Sequence, residues 1–166
     1  MAGRGYVRPD GIEYLKWQCI GGRLPGADLP PGFSVSPLAE GMDISSRHAC
    51  AGKAFGAQPL SGEIYRVTQS APSYRADLDL GVIDDGGNVC AVSTVWLDRS
   101  NSLGYFEPVA THPGYQRRCL GKAFLVEGLR RLQELGASMA YVEAYGDERS
   151  AFYASAGFTD YVAFHH

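Results

Sequence analysis

The chain has 166 residues, of which 45% are hydrophobic and 20% are charged, which is typical of one globular domain with a packed core. The formal net charge of −3 argues against a dedicated nucleic-acid-binding protein, because no positive field covers the chain as a whole. The longest apolar run, around residues 89–97, is too short to span a bilayer, and residues 1–10 lack the apolar region of a secretion signal. We therefore expect a soluble cytoplasmic protein without nucleic-acid or membrane partners.

The four cysteines, Cys19, Cys50, Cys90 and Cys119, form no CxxC pair, and the four histidines are scattered. Because zinc sites need clustered ligands, we expect no metal. An even number of cysteines could also form disulfides. In a chain of this size without a secretion signal, reduced thiols are favoured.

Glycine and proline are frequent in residues 1–31, which contain one strand-like segment, IEYLKWQC, and the breaker GGRLPGADLPPG. We interpret residues 1–31 as an N-terminal arm and residues 32–166 as the domain proper. Such an arm would cover an edge of the sheet or exchange between subunits.

Two helices are predicted after a short strand at Phe33–Leu38. The first begins with Asp43 or Ser45 as its N-cap and ends near Phe55. The second covers about residues 61–70.

Three strands follow. DLDLGVID alternates, the glycines of DDGGN suit a hairpin turn, and VCAVSTVWL is rich in β-branched residues. The third strand is Leu103–Thr111. Proline cannot donate to a strand ladder, so we expect a bulge or a lost pairing at Pro108.

A long amphipathic helix is predicted over about Arg117–Leu135, since leucine and phenylalanine recur at intervals of three and four residues. A strand at Met139–Tyr145, a short helix in DERSAFYASAGF and a last strand in FTDYVAFHH complete the chain. The unit Leu103–Tyr145 should form a right-handed parallel crossover, while the earlier hairpins are antiparallel. The predicted sheet is therefore mixed.

The segment THPGYQRRCLGKAF joins the third strand to the long helix. Arg117, Arg118 and Lys122 lie where the free helix amides carry the positive end of the helix dipole, so they suit an anion such as a phosphate. The alternative is that they are ordinary solvated residues. Gly121, a poor helix former, indicates that something approaches the backbone closely. The spacing fits neither a Walker A loop nor GxGxxG.

YQRRCLGKAFL resembles the Q/R-x-x-G-x-G/A signature of the GNAT superfamily of acyl-CoA-dependent acyltransferases, with Gln116 opening it and Gly121 closing it. EPVATHP resembles the bulged central strand of the family, and AFYASAGF resembles its C-terminal ending. The resemblance covers about four fifths of the chain and implies an α/β fold with a mixed, mostly antiparallel sheet, splayed central strands and flanking helices. Cys119 replaces the first glycine of the motif. We interpret it as a small replacement; the alternative is a reactive thiol.

The resemblance implies that acetyl-CoA is the cosubstrate. The strand would pair with the pantetheine arm, the loop amides would hold the pyrophosphate, and the amide near the bulge would polarise the thioester carbonyl. The residues implied are Val109, Ala110, Thr111, Gln116, Arg117, Arg118, Cys119, Leu120, Gly121 and Lys122.

Two catalytic residues are predicted from the same resemblance and from the need to move two protons in acyl transfer. Tyr153 is the candidate general acid, unless it only packs in its helix. Glu107 is the candidate base, two residues before Val109, so alternation places both on one face of the strand. Glu143 is the alternative base, and Glu107 could instead be a structural glutamate.

The expected function is transfer of an acetyl group to a primary amine of a small molecule or peptide by direct attack. The alternative is a non-catalytic module of the same fold that binds acyl-CoA or a protein partner. The family resemblance also favours a homodimer. The acceptor pocket is expected between the first two helices and the strand ends, with candidate aromatic walls at Tyr65, Tyr74, Trp96 and Tyr105.

Overall fold

The computed structural model describes residues 11–57 and 62–165, so residues 1–10, the predicted start of the second helix at Ser61, and His166 lie outside the described residues. The described residues form one seven-stranded sheet in the order β2-β3-β4-β5-β6-β1-β7. Its strands are β1 (Ile12–Cys19), β2 (Phe33–Pro37), β3 (Asp79–Asp84), β4 (Val89–Asp98), β5 (Leu103–Thr111), β6 (Met139–Tyr145) and β7 (Asp160–His165). The helices are α1 (Ile44–Phe55), α2 (Gly62–Gln69), α3 (Leu120–Glu134) and α4 (Asp147–Ser155).

The predicted mixed sheet is confirmed. The β5–β6 pair is parallel, joined by α3, and the other neighbouring strands are antiparallel. The α1 N-cap is Asp43, whose side chain accepts a hydrogen bond from the Ser46 amide at 2.7 Å. All four cysteines are free thiols.

The position of β1 corrects the expectation that this segment covers a sheet edge. β1 lies inside the sheet and pairs with β6 on one side and β7 on the other. Its alternation explains this placement: Lys16 and Gln18 are buried toward α4, where Gln18 donates to the Ala156 carbonyl at 3.2 Å. The backbone N–H and C=O groups on both edges of β1 thereby find hydrogen-bond partners within the same chain. The division of the chain at residue 31 stays a prediction.

Helices cover both faces of the sheet. α1 packs on β4 and β5, where Val92 and Ala110 join Cys50 in a small apolar cluster. α3 packs on β3, β4 and β5 from the opposite side, and α4 packs on β6 and β1 beside it. The main core lies between this second pair of helices and the sheet. None of the helices in the described ranges combines the length and apolarity needed to cross a membrane.

A buried ion pair under α1 is absent from the sequence-based predictions. Arg47 donates from Nε to Asp79 at 2.8 Å and from Nη2 to Thr94 at 2.7 Å, and both charged side chains are at most 2% exposed. The hydroxyls of Tyr65 and Tyr74 also donate to Asp79. This network joins α1 and α2 to β3 and β4. It gives Tyr65 and Tyr74, expected as pocket walls, a hydrogen-bonding role in the interior.

Candidate active site

The cleft between β5 and β6 begins where their pairing ends. The parallel ladder runs from Leu103 opposite Met139 to Phe106 opposite Val142 and goes no further. At the same point the register of β5 against β4 shifts. The predicted bulge near Pro108 and the predicted splay are therefore confirmed, and one edge of β5 beyond Phe106 is left without a neighbouring strand.

The bulge changes which residues share a face. Phe106 lies opposite Val95 and Val109 opposite Ser93, so two residues on β5, Glu107 and Pro108, lie opposite one residue on β4. Phe106 and Val109 therefore face the α3 side together, and Glu107 faces the other side. The prediction that Glu107 and Val109 share a face is wrong because it assumed unbroken alternation.

Hydrogen-bond alternation directs two backbone groups of β5 into the cleft. The His112 amide donates to the Cys90 carbonyl of β4 at 2.9 Å. Because antiparallel strands alternate bonded and non-bonded pairs, the amides of Val109 and Thr111 point away from β4. The Gln116 side chain donates to the Thr111 carbonyl at 3.3 Å, which ties the following loop to this edge.

The loop before α3 contains two left-handed residues. Arg117 has φ +59° and Cys119 has φ +61°, so the helix begins at Leu120 and not at Arg117 as predicted. The first helical bond runs from the Ala123 amide to the Cys119 carbonyl, so the amides of residues 120–122 have no partner within the helix. A left-handed residue directly before a helical one also turns successive amides into a concave anion site.

The basic side chains beside these amides are exposed. Arg117 lies 3.3 Å from Glu148 in an ion pair that is about 90% exposed on both sides, and Arg118 lies over the Tyr115 ring at 5.4 Å. Exposed pairs of this kind contribute little stability. The first turn of α3 holds no acidic residue, so nothing in that turn balances the positive end of the helix. The loop is therefore suited to bind an anion.

Gly121 is explained by packing within the chain. A Cβ at this position would lie 2.8 Å from Cζ of Phe152 and 3.5 Å from Oγ1 of Thr111. The close approach inferred from the sequence is therefore made by the Phe152 ring of α4, which holds α4 against the start of α3.

Replacing Gly121 with alanine should lower the free energy of unfolding by about 1–3 kcal/mol, because the Phe152 ring must shift. Chemical denaturation measures the change. Adding Phe152→Leu should recover part of the loss. If Gly121→Ala alone matches or exceeds the wild type, the ring contact is not what requires glycine here.

Tyr153 and Glu107 lie on different elements, and the Glu107 charge contributes to the raised pKa of Tyr153. Tyr153 is 6% exposed on α4, and its ring packs against Phe152 and Phe158. Burial and the Glu107 charge raise the pKa of the Tyr153 phenol. Glu107 is exposed to solvent, but its carboxylate is partly desolvated by neighbouring atoms. This desolvation and the Glu143 charge raise the pKa of Glu107. The two predicted catalytic residues are therefore close enough for the charge of Glu107 to act on the phenol of Tyr153.

Trp96 supports the bulge, a function that the sequence did not reveal. Its Nε1–H donates to the Glu107 carbonyl at 2.7 Å. The Trp96 ring also packs edge-on against Tyr74, whose hydroxyl donates to Asp79 at 3.0 Å. The buried ion pair is therefore linked to the bulge through two aromatic rings.

No group of three or more His, Cys, Asp or Glu side chains suited to a metal ion occurs in residues 11–57 or 62–165. No protein-family model matches the chain.

Curated relatives share about four fifths of the chain. A mycothiol acetyltransferase from Pseudarthrobacter chlorophenolicus is 30% identical over 146 residues, which cover 82% of this chain and 45% of that protein. The mycothiol acetyltransferase of Sanguibacter keddieii is 27% identical over 147 residues, covering 81% and 46%. The chain therefore spans about half the length of the curated relatives it matches.

Solved structures share the fold. A GCN5-related N-acetyltransferase from Sphaerobacter thermophilus superposes with a TM-score of 0.79 over 95% of this chain and 50% of that one, at 17% identity. The ribosomal-protein-S18-alanine N-acetyltransferase of Escherichia coli gives 0.60 over 75% and 76%, at 22% identity. The sequence similarity to these acetyltransferases and the shared fold support membership in the GNAT superfamily. The predicted fold is confirmed, and the splayed strands and the loop before α3 frame the candidate site.

Proposed function

We propose that this chain is an N-acetyltransferase that moves an acetyl group from acetyl-CoA to a primary amine by direct attack. The observation that carries the proposal is the open edge of β5 next to the unpartnered amides at the start of α3. The acetyltransferase names of the curated relatives support it.

The residues present fit acetyl-CoA. The amides of residues 120–122 and the side chains of Arg117, Arg118 and Lys122 would hold the pyrophosphate. The backbone of β5 at Thr111 would pair with the pantetheine arm, while Gln116 keeps the loop against the strand. Cys119 contributes its backbone, because it holds the left-handed turn that aims the following amides.

Acyl transfer to an amine requires two proton movements. Glu107 would take a proton from the acceptor ammonium, directly or through water, and the amine nitrogen would then bond to the acetyl carbon. The Val109 amide would stabilise the negative charge that develops on the carbonyl oxygen. As the carbon–sulfur bond breaks, Tyr153 would give its proton to the departing thiolate, and the second proton that the nitrogen loses on becoming an amide would restore the phenol, directly or through water.

Glu107→Gln should remove the acidic limb of the pH–rate profile. The pKa of Glu107 is raised above its ordinary value of 4.5, so in the wild type the rate should fall as pH decreases through that raised pKa. Glutamine cannot titrate, so the remaining rate should be lower and flat over the same range.

Glu143→Gln is the matched variant. Removing the Glu143 charge should lower the pKa of Glu107, so the acidic limb should move to lower pH and persist. A limb that survives Glu107→Gln but disappears in Glu143→Gln would reassign the base to Glu143.

Release of free thiol from acetyl-CoA in the presence of an amine panel tests the activity itself. The panel should include peptide N-termini, small amines and an acceptor related to mycothiol, the compound in the relatives' name. Acetyl-CoA binding without thiol release for any amine would favour the non-catalytic module.

We further propose a cytoplasmic homodimer with a small-molecule or peptide amine as its partner, on the strength of the family resemblance alone. Sedimentation velocity tests the dimer: a single species at the 17.9 kDa monomer mass would exclude it.

A further inference from the structure

Four aromatic side chains form a row across the sheet face opposite α3 and α4. Trp96 lies opposite Tyr105 on β5, Tyr105 opposite Tyr141 on β6, and Tyr141 opposite Trp17 on β1. Directly paired residues share a face, so the row crosses four neighbouring strands. Lys16, the neighbour of Trp17, points to the other face and donates to Ser150 of α4 at 3.1 Å.

The row is the wall of a groove. A cavity of about 390 Å³ is lined by Leu15, Ser73, Trp96, Leu103, Tyr105 and Tyr141, among others. The Trp17 ring packs on Tyr141 with a centroid separation of 6.3 Å, and the Tyr74 ring packs on Trp96 at 6.2 Å. Neighbouring rings therefore pack against Tyr141 and Trp96, and the volume of the cavity suits a small ligand.

The groove ends at two carboxylates beside the cleft. Glu107 follows Tyr105 by two residues on β5, and Glu143 follows Tyr141 by two residues on β6. The Tyr145 hydroxyl donates to Glu143 at 3.4 Å. Arg149, a nearby cation, is hydrogen-bonded to the Tyr145 carbonyl at 3.0 Å. An ammonium group entering from the groove would meet negative charge before it reaches the open edge of β5.

The other end of the groove contains the carboxylate of Asp98, whose two oxygens already accept hydrogen bonds. One of these oxygens accepts from the amides of Ser100 and Asn101, and the other accepts from the Asn101 side chain. The second cation of a polyamine would have to compete with these three hydrogen bonds for Asp98, and the hydroxyls of a sugar would face mostly rings and leucines. A flat apolar group matches this lining.

We propose that this groove binds the acceptor, and that the acceptor is a primary amine joined by a short linker to an aromatic or similarly flat ring. The inference rests on the proposed function for its chemistry. The rings of Trp96, Tyr105 and Tyr141 hold the flat group, each aromatic contact contributing beyond its buried area. Glu107 and Glu143 hold the ammonium at the end of the groove nearest the cleft. β1 takes part in acceptor recognition, because Leu15 lines the groove and Trp17 supports Tyr141.

Tryptophan fluorescence tests the groove directly. The chain contains two tryptophans, Trp17 and Trp96, and both belong to the row. Three probes are titrated without any donor: 2-phenylethylamine has ring and ammonium, butylamine lacks the ring, and 2-phenylethanol lacks the charge. We expect 2-phenylethylamine to bind at least about tenfold more tightly than either of the others. Equal affinity for butylamine, or no saturable change with 2-phenylethylamine, would overturn the proposal.

Tyr141→Ala should weaken 2-phenylethylamine by about tenfold and leave butylamine unchanged. Tyr161→Ala is the matched control, because Tyr161 is 54% exposed and pairs with Lys16, which faces away from the groove. Tyr141→Phe keeps the ring and should bind like the wild type even if the alanine variant is unstable. Loss of affinity in Tyr161→Ala but in neither Tyr141 variant would contradict the assignment.

Calorimetry with acetyl-CoA separates this proposal from the proposed function. Amine binding without acetyl-CoA binding would defeat the acetyltransferase proposal and leave the groove standing. Acetyl-CoA turnover that is as fast with butylamine as with 2-phenylethylamine would defeat the groove alone.

Discussion

Tyr153→Phe should lower kcat by about 10²- to 10⁴-fold, the usual contribution of a general acid, while acetyl-CoA affinity changes by less than about twofold. The phenol is buried, and burial and the Glu107 charge raise its pKa above the ordinary 10.0, so it keeps its proton throughout the neutral range. Phenylalanine keeps the ring contacts with Phe152 and Phe158 but supplies no proton to the thiolate. Steady-state kinetics and calorimetry measure the two effects separately.

Tyr161→Phe is the matched control for this prediction. Tyr161 is half exposed on β7 and lies away from the cleft, so its variant should retain wild-type kcat. If Tyr153→Phe retains full turnover, Tyr153 is a packing residue and the leaving thiolate obtains its proton elsewhere. An alkaline limb near neutral pH in the wild type would also contradict the assignment, since a raised phenol pKa places that limb above pH 10.

Asp79→Asn should lower the free energy of unfolding by about 3–5 kcal/mol, because Arg47 would remain buried without a counter-charge. The asparagine keeps the shape of the side chain and one acceptor for the tyrosine hydroxyls, but its NH2 group replaces the oxygen that accepts from Arg47, so the variant removes the charge and that hydrogen bond together. Urea denaturation at neutral pH gives the value.

Asp77→Asn is a control two residues away. Asp77 pairs with Arg75 at 2.6 Å, but the two side chains are 44% and 32% exposed, so the loss should be below about 1 kcal/mol. Equal decreases in the free energy of unfolding in the two variants would mean that burial of the Arg47–Asp79 pair does not increase its contribution to stability. A loss confined to Asp79→Asn would tie α1 and α2 to the sheet through this charge.

The strands and helices in the second half of the chain could be predicted because their residue patterns lie within short stretches of sequence. The alternation of Leu103–Thr111 and the proline within it predicted a bulged strand, and the bulge is where β5 parts from β6. The leucine spacing predicted α3, whose buried face contains Leu125, Leu129 and Leu132.

Features that depend on contacts between residues far apart in the sequence could not be predicted. IEYLKWQC looks like a strand, but nothing local tells that β6 and β7 leave a gap for it. Gly121 signals a close approach without naming Phe152 as the partner. Arg47 resembles any helix-surface arginine until Asp79 is placed beneath it by the fold.

Cys119 is explained by backbone geometry. Its φ of +61° is a conformation that glycine adopts without cost and other residues at about 1–2 kcal/mol. The position that aligns with the first glycine of the motif therefore has a left-handed backbone in this chain, and this turn directs the amides at the start of α3. The cost of a cysteine at this position is therefore backbone strain, while the loop keeps its anion-binding shape.

The most direct test of the account is an amide-resolved NMR titration of the protein with acetyl-CoA. We predict saturable amide chemical-shift changes on β5, in the loop and in the first turn of α3, because these amides face the cleft or lie at the N-terminus of α3. The residues are Val109, Thr111, Arg117, Cys119, Leu120, Gly121 and Lys122. Saturable shifts confined to other parts of the molecule, or no saturable shift at all, would contradict the account.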